Sequence, residues 1–104
     1  MEANSVKTPV VQRNDYVMYL EFFAGMHWFH TDVFNWTPKV KKKYLEDLNL
    51  LQYLVGTPLA ALIEEDNIKL AKFGKSIGFK YLEPCKGKDD EHYYIWSRGL
   101  SWVS

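Results

Sequence analysis

The sequence predicts a mixed α/β domain, a mostly antiparallel sheet carrying two main helices. Three observations carry this. Two aromatic-rich runs, Tyr16–Phe23 (YVMYLEFF) and Met26–Phe34 (MHWFHTDVF), flank the punctuation Ala24-Gly25 and read as a hairpin. Apolar residues then recur at steps of three and four from Val40 to Val55, the signature of an amphipathic helix. Beyond it, Leu59–Ile63 (LAALI) is a short continuous apolar run between breakers, which reads as a buried strand.

The elements follow in order. Residues 1–14 are polar, carry Pro9 and read as an N-terminal arm or a short edge strand, with a single domain over residues 15–104. Thr37-Pro38 opens the first helix. The threonine hydroxyl caps free amides, and proline suits the first helical position, where its missing N–H costs nothing. Val40, Tyr44, Leu48, Leu51 and Val55 form its apolar stripe, widened by Leu45 and Leu54, and Gly56-Thr57-Pro58 stops it. Asp66 or Asn67 caps the second helix, with Leu70, Phe73 and Ile77 on one face and Gly78 as its stop. Phe79–Leu82 reads as a strand, 84–90 as a charged loop, and His92–Ser97 (HYYIWS) as a last strand antiparallel to the one before.

Composition bounds function. Thirteen basic and thirteen acidic residues in 104 give no net charge, which excludes nucleic-acid binding through bulk electrostatics. The aromatic share of 16% supplies the large rings that a domain of this size needs to build a core, and excludes disorder of the whole chain. The single cysteine, Cys85, excludes an internal disulfide and a multi-thiolate zinc site, and fits a reducing compartment. Neither a signal-peptide pattern nor a run near the roughly 20 apolar residues of a membrane span is visible. The expectation is a soluble, unsecreted protein, cytoplasmic in its host cell or packaged in a virion.

Several side chains are candidates for chemistry. Glu21 and His30, on the first two strong strands, are the residues to deprotonate an amine acceptor. Strand alternation puts His30 and Asp32 on one face and His27 on the other, so the histidines do not converge on a metal and none is expected. Lys39 and Lys41–Lys43 cluster at a helix start, where cations oppose the helix dipole and therefore do not serve helix stability. They suit the phosphate of a cofactor, an acidic partner or simple solvation. Glu64-Glu65-Asp66 suit the dipole of the helix they precede. Four tryptophans, with Tyr93 and Tyr94, exceed what one small core needs, and Trp36 and Trp102 are the expected contacts with another chain.

The stretch from Leu59 to Arg98, through LAALIEEDNIKLAKFGKSIGFK and YYIWSR, resembles the second half of the GNAT superfamily of N-acetyltransferases. A strand, an Asn opening a helix (Asn67) and a Gly-Phe pair entering the next strand (Gly78-Phe79) stand at the family's spacing. Small GNAT-like proteins of tailed phages, including internal virion proteins of short-tailed phages, look most similar. The resemblance implies an acetyl-CoA site at Thr37, Lys39, Lys41 and Asn67, and an acyltransferase that polarises a thioester with backbone N–H groups of the second strand. The sequence also departs from the family. Phe34–Val40 contains no glycine where the family has a glycine-rich phosphate loop, position 74 is Gly where many members carry a Tyr, and the portion before Tyr16 is too short for the acceptor-side elements. The expectation is therefore a degenerate GNAT-like domain, truncated at its N-terminal side, that needs no cofactor and acts by protein–protein interaction or self-association through exposed aromatics. The alternative is an acetyl-CoA-dependent N-acetyltransferase.

Overall fold

A computed structural model describes residues 6–87 and 91–99. Among them are six strands and two helices: β1 (Thr8–Gln12), β2 (Tyr16–Phe23), β3 (Met26–Val33), α1 (Pro38–Val55), β4 (Leu59–Glu64), α2 (Ile68–Ser76), β5 (Lys80–Lys86) and β6 (His92–Arg98). The chain divides after Thr57 into two compact units.

The first unit is a three-stranded antiparallel meander, β1-β2-β3, followed by α1. Its hairpin turns on two residues. Ala24 (φ 54°) and Gly25 (φ 76°) both occupy left-handed backbone, the turn whose twist matches that of its strands. This pairs Phe23 with Met26 and, seven pairs on, Tyr16 with Val33. The N-terminal segment takes the edge-strand option through β1, with a register shift between Pro9 and Val11. Proline is tolerated there because an edge strand can spare an N–H.

Tyr16 and Met18 of β2, Phe29 of β3 and Val40, Tyr44, Leu48 and Leu51 of α1 are buried. Tyr16 and Tyr44 meet edge to face at 4.8 Å, and Trp36 meets the Tyr44 ring at 5.2 Å. The apolar stripe is narrower than its sequence pattern implies: Leu54 is 70% exposed. Gly56 (φ 78°) ends α1 in the left-handed conformation, donating its N–H to Gln52 O.

The second unit is an antiparallel trio with β6 between β4 and β5, plus α2. Leu59, Ala60, Ile63, Ile77, Phe79 and Trp96 are its buried apolar residues. Gly74 of α2 is buried as well, and a Cβ there would stand 3.5 Å from Ile63 Cδ1 and 3.9 Å from Phe79 Cβ. Gly78 (φ 102°) turns the chain out of α2. Phe79 N–H returns to Gly74 O at 2.9 Å, and the Phe73 and Lys75 carbonyls accept from Ile77 and Gly78. Strand β5 runs through Pro84 to Lys86, so the expected loop at 84–90 begins later than its composition implies. Pro84 stands opposite Tyr94 on a strand paired to β6, beyond a register shift between Tyr81 and Glu83.

Candidate functional site

The hairpin register decides which side chains meet. Tyr16, Met18 and Phe29 occupy the buried face of β2 and β3. Alternation therefore places Tyr19, Glu21, Trp28, His30 and Asp32 together on the other face. Tyr19 lies opposite His30 and Glu21 opposite Trp28, so Glu21 and His30 are diagonal neighbours, as are Tyr19 and Asp32.

Both diagonals are hydrogen-bonded. His30 Nε2 lies 2.8 Å from Glu21 Oε1, with the two side chains 34% and 21% exposed. Tyr19 donates its hydroxyl to Asp32 Oδ2 at 2.8 Å. That bond, with burial and the Asp32 charge behind it, raises the Tyr19 pKa. Lys7 Nζ lies 5.8 Å from the Tyr19 ring centroid, and Trp28 donates its indole N–H to Phe23 O. An imidazole held by a carboxylate on a part-exposed face can accept a proton from a bound acid and hold the resulting charge.

Glu21 and His30, separate candidates in the sequence, thus form one pair. The Tyr19–Asp32 pair was missed, although its signal was present: a two-residue turn at Ala24-Gly25 makes both pairs diagonal neighbours. His27 lies on the opposite face, beside Thr57 Oγ1 at 3.2 Å and against the Phe22 ring at 4.9 Å. Among the described residues no group of three or more His, Cys, Asp or Glu side chains could hold a metal ion.

The residues expected at a cofactor lie elsewhere, and two of them cap helices. Thr37 Oγ1 accepts the Val40 N–H at 3.1 Å, and Thr37 O accepts the Lys41 N–H at 2.8 Å. Pro38 has no N–H to offer. Of the first four positions of α1, only Lys39 keeps an N–H outside these bonds. The approach to the helix is tied down too: Phe34 and Asn35 donate backbone N–H groups to Asp15 O, and Asn35 Nδ2 donates to Asp15 Oδ1. A pyrophosphate cradle needs several converging open amides and close backbone approach. These residues do not fit one. In the second unit, Asn67 Oδ1 accepts the Leu70 N–H at 3.0 Å. Lys39 is exposed and Lys41 half-buried, while Trp36 is 37% exposed; Trp102 lies outside the described residues.

Comparison with known proteins gives the fold a relative. No family model matches the chain, and no curated protein matches it in sequence. A solved structure is similar in fold: a Bordetella pertussis protein assigned to the GnaT family of acetyltransferases, with a TM-score of 0.63 over 82% of this chain at 13% identity. The chain spans 57% of that protein's length. The likeness establishes a mixed α/β, GNAT-like fold.

Proposed function

We propose that this chain is a GNAT-fold domain that works by binding another protein chain, as a phage-type virion component or host-interaction factor, without efficient acyl transfer. The observation that carries the reading is a set of large rings left in solvent on the first unit. Phe22 is 62% exposed, Phe23 51%, Phe34 66% and Tyr53 81%. Rings of this size are costly to leave wet and are enriched where proteins meet. The start of α1 supports the same reading from the other side, since its amides and its approach loop are committed to structural bonds. A partner met in a host cytoplasm or inside a virion fits the absence of net charge and the lone cysteine.

The His30–Glu21 pair favours a second reading, an N-acyltransferase in which His30 takes the proton of an ammonium acceptor and Glu21 stabilises the imidazolium. Calorimetric titration with acetyl-CoA and with CoA separates the two. The binding reading expects no heat at millimolar ligand from folded protein. Micromolar affinity, weakened by Lys39→Glu, would overturn it and establish the second.

A further inference from the structure

Four of the five residues from Lys39 to Lys43 are lysines. They occupy the first turns of α1, which carries no acidic residue in its first turn. A helix N-terminus holds roughly half a positive charge over its first turn, so Lys39 and Lys41 oppose the dipole. Lys39, Lys42 and Lys43 also fall at i, i+3 and i+4, where like charges repel. None of the four makes an ion pair among the described residues. The nearby Asp47 carboxylate is taken by Arg13 and Tyr16, though the charge of Lys43 helps to hold its pKa down. Glu46 and Asp47 stand one turn after Lys42 and Lys43 and offset part of this repulsion, Lys39 has no acidic residue one turn on, and Lys39, Lys42 and Lys43 are all exposed.

Two exposed rings precede the lysines in the chain. Phe34 is 66% exposed and Trp36 37%, and Trp36 is held edge-on against the buried Tyr44 ring at 5.2 Å. A ring packed in this way makes an anchor with little entropy left to lose.

We infer that Lys39, Lys42 and Lys43, with Phe34 and Trp36, form a docking surface for an acidic segment of a partner protein that also carries apolar side chains. The inference rests on the proposed binding function and names the partner's chemistry. Charge complementarity selects the occupant. A phosphate cofactor needs the amides that Thr37 and Pro38 remove from play. A nucleic acid needs a broad cationic field, and this chain has no net charge. An acidic peptide needs only local cations and an apolar anchor.

The test is fluorescence anisotropy with the full chain. The probe is a short fluorescein-labelled peptide of aspartate and glutamate with interspersed phenylalanines. Saturable binding is expected, weakened about tenfold between low and physiological salt. The combined change Lys39→Glu, Lys42→Glu and Lys43→Glu abolishes it. Charge reversal at positions 42 and 43 sets carboxylates one turn before Glu46 and Asp47, so the neutral change Lys39→Gln, Lys42→Gln and Lys43→Gln is measured beside it and weakens binding with an unchanged circular dichroism spectrum. Trp36→Ala weakens binding about tenfold and leaves the salt dependence unchanged. Failure of the peptide to bind, binding that survives charge reversal, or tighter binding of an oligothymidylate of equal charge would each overturn the inference. Displacement of the peptide by micromolar acetyl-CoA would overturn both this inference and the proposed function. Failure of the peptide together with failure of acetyl-CoA overturns the inference alone.

Discussion

Tyr16 donates its phenolic hydrogen to Asp47 Oδ2 at 2.6 Å, joining β2 to the middle of α1. Arg13 meets the same carboxylate through two nitrogens, at 2.9 and 3.0 Å. The Asp47 side chain is 10% exposed. Burial pushes its pKa up, but the hydrogen bonds from Arg13 and Tyr16 and the charges of Arg13 and Lys43 outweigh it and hold the carboxyl below its ordinary value. The Tyr16 hydroxyl is shifted up, first by burial and then by the carboxylate it binds. Asp47→Ala leaves a buried hydroxyl without this acceptor and is expected to cost about 2 kcal/mol. Tyr16→Phe keeps the ring and the ion pair, and costs about 1 kcal/mol. Chemical denaturation with Asp47→Ala no worse than Tyr16→Phe would show that the carboxylate does not organise this contact.

The same carboxylate sets a pH dependence. Folding lowers the Asp47 pKa, so in the acid range the unfolded chain binds more protons than the folded one, and stability rises with pH there. The contribution is fully present above the ordinary aspartate value of about 3.9 and is lost as pH falls through the lower folded value. Thermal melts between about pH 5 and pH 2 should show the gap between the natural chain and Asp47→Asn closing as pH falls. A gap independent of pH would assign the effect to packing.

Both helices begin on a side-chain oxygen. Thr37→Ala and Asn67→Ala each remove one cap bond, to Val40 N–H and Leu70 N–H, and each should cost about 1 kcal/mol, or roughly 4–8 °C in Tm. Serine at either position restores most of the loss, because it supplies the same acceptor. Scanning calorimetry of the four variants without ligand checks this. Unchanged melting would mean that these oxygens are spared for another use.

Local chemistry made much of this legible. Thr37-Pro38, Asn67 and Gly78 announce helix ends through caps that depend only on neighbouring residues. Ala24-Gly25 announces a hairpin, and with it every opposite pair. Strand β5 was harder to read, because Pro84 and the charges beside it resemble a loop, and only pairing with β6 makes them a strand. Strand β1 was ambiguous for the same reason. The Tyr16–Asp47–Arg13 contact was not legible at all. It joins residues more than thirty positions apart, and no local pattern announces the partner.

The His30–Glu21 pair offers a different kind of test. Its side chains are about a third and a fifth exposed, so solvent screens the interaction. Glu21→Gln and His30→Gln should each change stability by less than about 1 kcal/mol. A general base in a working acyltransferase would instead lose about a hundredfold or more in rate on either change, with stability intact. On the binding reading, both variants should bind a protein partner as the natural chain does. A rate loss measured with a thiol-release assay would move the pair into a catalytic role.

Gly74 stands four residues before Gly78 and is buried in α2. A Cβ would sit at ordinary contact distance from Ile63 Cδ1 and Phe79 Cβ, so Gly74→Ala should be accepted. It removes backbone freedom from the unfolded chain and should add up to about 1 kcal/mol of stability. Gly74→Tyr asks the same space to take a whole ring. Ile63 and Phe79 are 3% and 2% exposed, so they have little room to yield, and overpacking of about 1–3 kcal/mol is expected. A tyrosine here should therefore lower the melting temperature, while alanine raises it. Opposite signs in paired thermal melts would support this packing. A tyrosine variant as stable as alanine would show that the side chain at this position has a route out to solvent, and with it a place from which a phenol could act.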